Sequence, residues 1–353
     1  MNYPAFNNPM SHTGLRAPAF KWGRGSDGYN SNIDYLLDGM IPVHSFGVLY
    51  GPSGSYKSFL VMSWCAHISS GKNWDGRSVR KAGVLYVVAE GGIGAPRRVK
   101  AWEIANMQGQ QLENFFVVNE PVHIANPNAE AMLEATITDI EKKCNTKIEL
   151  VVFDTLARCF NGADENSTKD MNFFISGCDT LKANRGVTVL VVHHSGKHEA
   201  NAARGSSALR AACDFEFKVT KSDTAGDSRS LILSCEKMKD DEPASMSTYE
   251  LNPVSLFKNQ CGKDISSLVV LSQGELVDID SLKSGSTNAM SEPQSVIWGI
   301  IRSRIARGDS STRDLIRDDF KSLGYQTKNF GRTLSKLLES GKVSEKDGQY
   351  ICT

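Results

Sequence analysis

The stretch from Gly47 to Phe59, GVLYGPSGSYKSF, constrains this chain more than any other segment. An apolar run that reads as a strand leads into a glycine-containing turn, followed by Lys57, Ser58 and a segment with helical apolar spacing. Backbone N–H groups in such a loop, together with the first turn of the helix behind it, converge on one place and suit phosphate oxygens. The pattern predicts that Gly51, Pro52, Ser53, Gly54, Ser55, Tyr56, Lys57, Ser58 and Phe59 surround a nucleotide's phosphates. Lys57 would reach the β and γ phosphates, and Ser58 would ligate Mg2+. The full pattern asks for glycine where this chain has Tyr56. Either the loop closes differently there, or Tyr56 covers the nucleotide.

A phosphate loop of this kind works with a carboxylate at the end of a neighbouring strand that holds the magnesium shell through water. ELVVFDT supplies Asp154 after a buried run. The plain alternative for Asp154 is a helix N-cap or an Asx turn. Hydrolysis also needs a group that activates water beside the γ phosphate, and LYVVAEGG places Glu90 just past another apolar run. Glu90 is the expected general base, against the alternative of a solvated loop glutamate.

Short apolar runs recur at Phe46 to Tyr50, Val84 to Val88, Phe115 to Val118, Leu150 to Phe153 and Val187 to Val192, several of them separated by helix-sized intervals. Near-continuous runs of this kind belong to a parallel sheet covered on both faces, so the core is expected to be α/β. From Phe215 to about Phe257 strands follow at short spacing, for example Phe215 to Lys218 and Ser230 to Cys235, around the Asp223 to Asp227 turn cluster. These predict an antiparallel extension. Residues 283–291 read as a polar linker. After it come three helical patterns, Pro293 to Arg307, Thr312 to Leu323 and Lys328 to Ser340, and a hairpin-like pair from Lys342 to Cys352, a set that looks like a winged helix. The expected domains are a loosely ordered segment 1–31, an ATPase domain 32–282, the linker 283–291 and a winged-helix-like domain 292–353.

Composition removes other classes. With 353 residues and 40 Lys+Arg against 40 Asp+Glu, the chain carries no global field for nucleic acid, so such contacts must be local. No apolar run approaches the roughly 20 residues of a membrane helix. The eight cysteines form no C-x-x-C pair and read as reduced core thiols of a cytoplasmic protein. Met1 to Phe20 contains no signal-peptide centre.

The phosphate loop, Glu90, Asp154 and then TVLVVHHSGKHEANAARGSSALR together resemble the RecA-like P-loop ATPases, in particular hexameric replicative helicases of the plasmid RepA type. The resemblance spans about Asn32 to Val219. It implies that His194, after its strand, senses the γ phosphate, and that Arg204 reaches into the neighbouring subunit's site. A neutral imidazole can hydrogen-bond a phosphate oxygen, and a guanidinium lent in trans stabilises transition-state charge. The alternatives are a zinc site built on His193, His194 and His198, which lacks a familiar spacing, and ordinary salt bridges for Arg204 and Arg210.

By the same resemblance the segments Arg158 to Asp170 and Ser195 to Ser207 line a ring's channel and contact single-stranded DNA, with Lys169, Lys197 and His198 on backbone phosphate. Solvated loop charges are the competing reading. In the C-terminal region, Lys328, Arg332 and Lys336 make one face of the expected helix Thr327 to Ser340 basic, where duplex or forked DNA, or another replication protein, could dock. The function expected is an ATP- and Mg2+-dependent DNA helicase or translocase in phage or plasmid replication, working as a hexameric ring away from membranes. A recombination or helicase-loading ATPase that does not unwind, and an ATP-switched DNA-binding regulator, are the rivals. A small-molecule kinase is disfavoured by the late Asp154 and the HH-S-x-K segment.

Overall fold

The computed structural model of the protein describes residues 23–89, 92–160, 164–165, 167–194, 207–222, 229–276, 292–307, 309–323, 325, 327–339, 341–346 and 348–352. Glu90, Lys197, His198 and Arg204 therefore lie outside the described residues, as do the Asp223 to Asp227 cluster and the linker 283–291. The chain divides into two units between Ile33 and Asp34. The described part of the first is a run of turns in which the Arg24 amide donates to Asp27 Oδ2.

The second unit opens with a small antiparallel pair, β1 (Tyr35–Leu37) and β2 (Ile41–Pro42). β3 (Phe46–Gly51), α1 (Lys57–Ser70), β4 (Gly83–Val88), α2 (Gly94–Met107), β5 (Phe115–Val118), α3 (Pro127–Cys144), β6 (Ile148–Asp154), α4 (Thr168–Arg185) and β7 (Thr188–His194) then alternate along the chain. The short helix α5 (Ser207–Ala212) leads to β8 (Phe215–Lys221), β9 (Ser230–Met238), β10 (Ser247–Lys258), β11 (Asp264–Val270) and β12 (Glu275–Leu276). The ten-stranded sheet has the order β11-β10-β9-β8-β3-β7-β6-β4-β5, with β12 on β10. Strands β8 to β5 in that order are mutually parallel and β9 to β12 are antiparallel. The expected α/β core, a mostly parallel sheet with an antiparallel extension, is the architecture observed. The extension is longer than the expected limit near Phe257, because the turn bonds around Asn259 and Gly262 return the chain as β11.

Alternation along each central strand sends its residues to two cores. Leu49, Tyr86, Val152 and Val192 face one, while Val48, Val87, Val151 and Val191 face the other. Helix α1 is apolar on nearly every side, from Leu60 through Ile68, because it is enclosed by the sheet, α2 and the β10–β11 hairpin. It stops at Gly71, whose left-handed φ of 75° lets its amide reach the His67 carbonyl. Strand β8 presses so closely on β3 that a Cβ on Gly47 would lie 2.0 Å from the Phe215 ring.

At the C-terminus, α6 (Glu292–Arg307), α7 (Arg313–Ser322) and α8 (Phe330–Glu339) precede the hairpin β13 (Val343–Lys346) and β14 (Gln349–Cys352). These elements share a core of their own that includes Ile297, Ile301, Phe320, Leu334 and Tyr350. The basic helix starts later than expected. Thr327–Asn329 is a 3₁₀ turn, so Lys328 precedes the α-helix that carries Arg332 and Lys336. Among the described residues no helix is long and apolar enough to cross a membrane.

Candidate functional site

β3 delivers Gly51 to the carboxyl edge of the parallel strands, and the loop Pro52 to Tyr56 turns the chain into α1. Gly51 has no room for a side chain, since a Cβ would lie 2.0 Å from the Val219 carbonyl oxygen. Tyr56, at the N-cap of α1, has φ 66° and ψ 17°, in the left-handed region. This is the geometry for which the pattern asks for glycine, and a residue with a Cβ holds it at a cost of about 1–2 kcal/mol. The loop therefore keeps its usual left-handed bend. The Tyr56 ring lies edge-on to Phe59, with centroids 6.2 Å apart. Ser55 is buried, and among the described residues its hydroxyl has no hydrogen-bond partner.

Lys57, the first residue of α1, is also buried. Its ammonium donates to the carbonyls of Gly51 (2.9 Å) and Pro52 (2.7 Å) and lies 3.3 Å from Nδ1 of His194. The sheet register sets this contact up, because Gly51 pairs with His194 across β3 and β7. His193, one residue earlier, is buried. Among the described residues no cluster of three His, Cys, Asp or Glu side chains could hold a metal ion.

Asp154 closes β6, one strand beyond β7, and is 6% exposed. The Tyr86 hydroxyl on β4 donates to its Oδ2 at 2.6 Å. Burial, reinforced by the Asp154 charge, pushes the Tyr86 phenol well above its ordinary value, so it stays a donor. The Cys65 thiol on α1 is raised for the same two reasons, burial first and Asp154 second. Val88 pairs with Asp154 in the register, and the Ala89 amide donates to the Asp154 carbonyl, so β4 ends beside Asp154.

Arg210, on α5, pairs with the buried Glu216 of β8, Nε to Oε2 at 3.1 Å. Among the described residues neither Glu216 oxygen has an aligned hydrogen bond, so the contact is Coulombic. Lys169 is exposed in the first turn of α4; Lys328, Arg332 and Lys336 are exposed on the C-terminal elements. The structure thus brings together the phosphate loop, Lys57, Asp154 and His194 at one edge of the sheet.

Sequence reading missed two residues there. Tyr86 hides inside an apolar strand, although a hydroxyl in a run buried on both faces needs a partner, which is a readable signal. The Arg98 guanidinium of α2 lies 4.7 Å from the Phe59 ring centroid, and its charge reaches Tyr86. Nothing local announces that.

The family model described as an AAA domain matches residues 12–200. No curated protein matches the chain. Among solved structures, the crystal structure of the RadB recombinase is similar to it with a TM-score of 0.41 and 17% identity, over 59% of this chain and 87% of that one. The family match covers just over half of the sequence and contains the phosphate loop, Asp154 and His194, and the chain accordingly belongs to the AAA domain family of P-loop ATPases.

Proposed function

We propose that the protein is an ATP-driven DNA motor, a helicase or translocase of the RecA-like type that serves phage or plasmid replication as a hexameric ring. The contact between Lys57 and His194 at the mouth of the phosphate loop carries this reading. It joins the cation that grips a β–γ phosphate bridge to a group at the tip of the next strand, which can register loss of the γ phosphate. The residues fit Mg2+ and a triphosphate: Ser58 and Asp154 are hard oxygen donors, and the unpartnered, buried Ser55 hydroxyl faces the same loop. Bound Mg2+ would neutralise charge developing on the phosphates. In this proposal Gly51 through Phe59 bind the phosphates, Ser58 and Asp154 hold the metal shell, and Glu90 positions and deprotonates the attacking water. Arg204 enters from the adjacent protomer.

DNA would pass Lys169, Lys197 and His198 in the channel, with Lys328, Arg332 and Lys336 contacting a duplex or fork. The parts are taken as a segment 1–31, an ATPase domain 32–282, a linker 283–291 and a winged-helix-like domain 292–353. The decisive experiment measures ATP hydrolysis with and without single-stranded DNA and strand displacement on a fork, with the mass of the nucleotide-bound assembly determined in parallel. Stimulated hydrolysis, unwinding and a ring mass support the motor. Stimulated hydrolysis without unwinding favours a loading or recombination factor, and absent hydrolysis defeats the whole reading. Mixed rings of Arg204→Ala and Lys57→Ala protomers should regain activity if sites are shared between subunits.

A further inference from the structure

Tyr86 is more than a core tyrosine. Its ring is fully buried against Phe115, with centroids 6.0 Å apart, in a strand whose neighbours are otherwise apolar. Burying a phenol there is costly unless its hydroxyl is satisfied, and valine or phenylalanine would fill a β-strand core without that need. That hydroxyl donates instead to Oδ2 of Asp154 at 2.6 Å, 68 residues away on the adjacent strand. The bond crosses from β4 to β6 close to where both strands end, with Val88 registered opposite Asp154. The Asp154 carboxylate therefore has one oxygen tied from within the core.

We infer that Tyr86 is a positioning residue for the magnesium shell: it pins Oδ2 of Asp154 so that Oδ1 is the oxygen presented to the metal's water. This rests on the ATPase reading of the site. A carboxylate on a short side chain can otherwise rotate between orientations, and only some of them offer an oxygen to the phosphate loop. Fixing the rotation before the nucleotide arrives removes that search, as outer-shell partners of metal ligands commonly do. Tyr86 touches neither nucleotide nor metal in this account. It acts through Asp154 alone.

The test uses the full chain and Mn2+ as a spin probe for Mg2+, bound together with a non-hydrolysable ATP analogue and followed by loss of the free-ion paramagnetic resonance signal. Tyr86→Phe deletes one oxygen and keeps the ring. It should weaken Mn2+ binding on the order of tenfold or more. The KM for ATP at saturating Mg2+ should stay within about twofold, and kcat should recover as Mg2+ is raised. In an Asp154→Asn background the same change should have no further effect on Mn2+ affinity, because the two act as one unit. Placing 3-fluorotyrosine at position 86 retains the hydroxyl and should preserve wild-type Mn2+ affinity. That variant keeps the hypothesis testable if the phenylalanine variant fails to fold.

Unchanged Mn2+ affinity in folded Tyr86→Phe, with an active wild type, overturns the positioning role and leaves the ATPase reading intact. Equal weakening in the Asp154→Asn background also overturns it, since the effect would then run through general packing. A wild type that neither binds Mn2+ with the nucleotide nor hydrolyses ATP removes both readings together.

Discussion

The ammonium of Lys57 stands 3.3 Å from Nδ1 of His194, although 137 residues separate them in the chain. An ammonium has only donors, so a hydrogen bond between the two needs the tautomer whose Nδ1 carries no proton and accepts. Two groups at the tips of adjacent structural elements are thus joined in a donor–acceptor pair at the opening of the phosphate loop.

Different kinetic signatures should follow from the two ends of that pair. Lys57→Ala removes the cation and should lower kcat by about a thousandfold while weakening nucleotide binding. His194→Ala should lower kcat by about a hundredfold and leave nucleotide affinity within a few-fold. Steady-state kinetics beside equilibrium binding of a labelled nucleotide separates the cases, and a His194→Ala enzyme with wild-type kcat would remove this histidine from the mechanism.

Tyr56 offers a test of the loop's backbone. Because its φ is 66°, Tyr56→Gly should retain stability to within about 1 kcal/mol, relief of the left-handed strain being offset by lost contact with Phe59 and by unfolded-chain entropy. Tyr56→Val should be less stable than Tyr56→Gly by about 1–2 kcal/mol, since a β-branched residue tolerates this region poorly. Thermal denaturation ranks them, and equal melting temperatures would contradict the left-handed assignment.

Gly47 is set apart from the loop and tests only the fit of β8 on β3. Gly47→Ala would drive a methyl into the Phe215 ring, and β3 is paired on both sides, with β7 and β8, so it cannot shift freely away from that ring. A loss of about 3 kcal/mol is expected, partly recovered by adding Phe215→Leu. Chemical denaturation of both variants provides the check; a neutral Gly47→Ala would mean that the two strands are not so closely apposed.

The buried Glu216 predicts a pH dependence. Burial raises its carboxyl above the ordinary 4.5, an effect that Arg210 partly offsets. The folded protein then retains a proton that the unfolded chain releases first, so the stability due to this group is present below the unfolded value and declines as pH rises through the raised one. Glu216→Gln lacks this titration. The stability of the variant relative to wild type should therefore improve as pH is raised from about 4 to 7. A difference that stays constant across that range would show that Glu216 titrates normally in the fold.

Much of the sheet was legible because its signals are local. Runs such as Val84 to Val88 and Phe115 to Val118 are continuous apolar segments, and the observed strands Gly83–Val88 and Phe115–Val118 follow them closely. The return strand Asp264–Val270 was not legible: Asp264, Ser266 and Ser267 interrupt its apolar pattern, and its identity comes from pairing with β10. Spacing alone puts Lys328 on the helix, because it cannot distinguish a 3₁₀ turn from the α-helix it precedes.

From its own order of residues this chain dictates a strand, a phosphate loop and a buried helix at Gly47 to Ser70, together with carboxylate and imidazole groups at the tips of other strands. Those features depend on neighbours a few positions away, where chain chemistry acts directly. Which tips meet depends on strand order. The tertiary fold inserts β7 between β3 and β6 and sets β4 beside β6, and that order brings His194 to Lys57 and Tyr86 to Asp154. It also presses β8 onto the two glycines of β3 and seats Arg98 over Phe59. Contacts between residues so distant in the chain follow from how whole layers pack, and no local period encodes them.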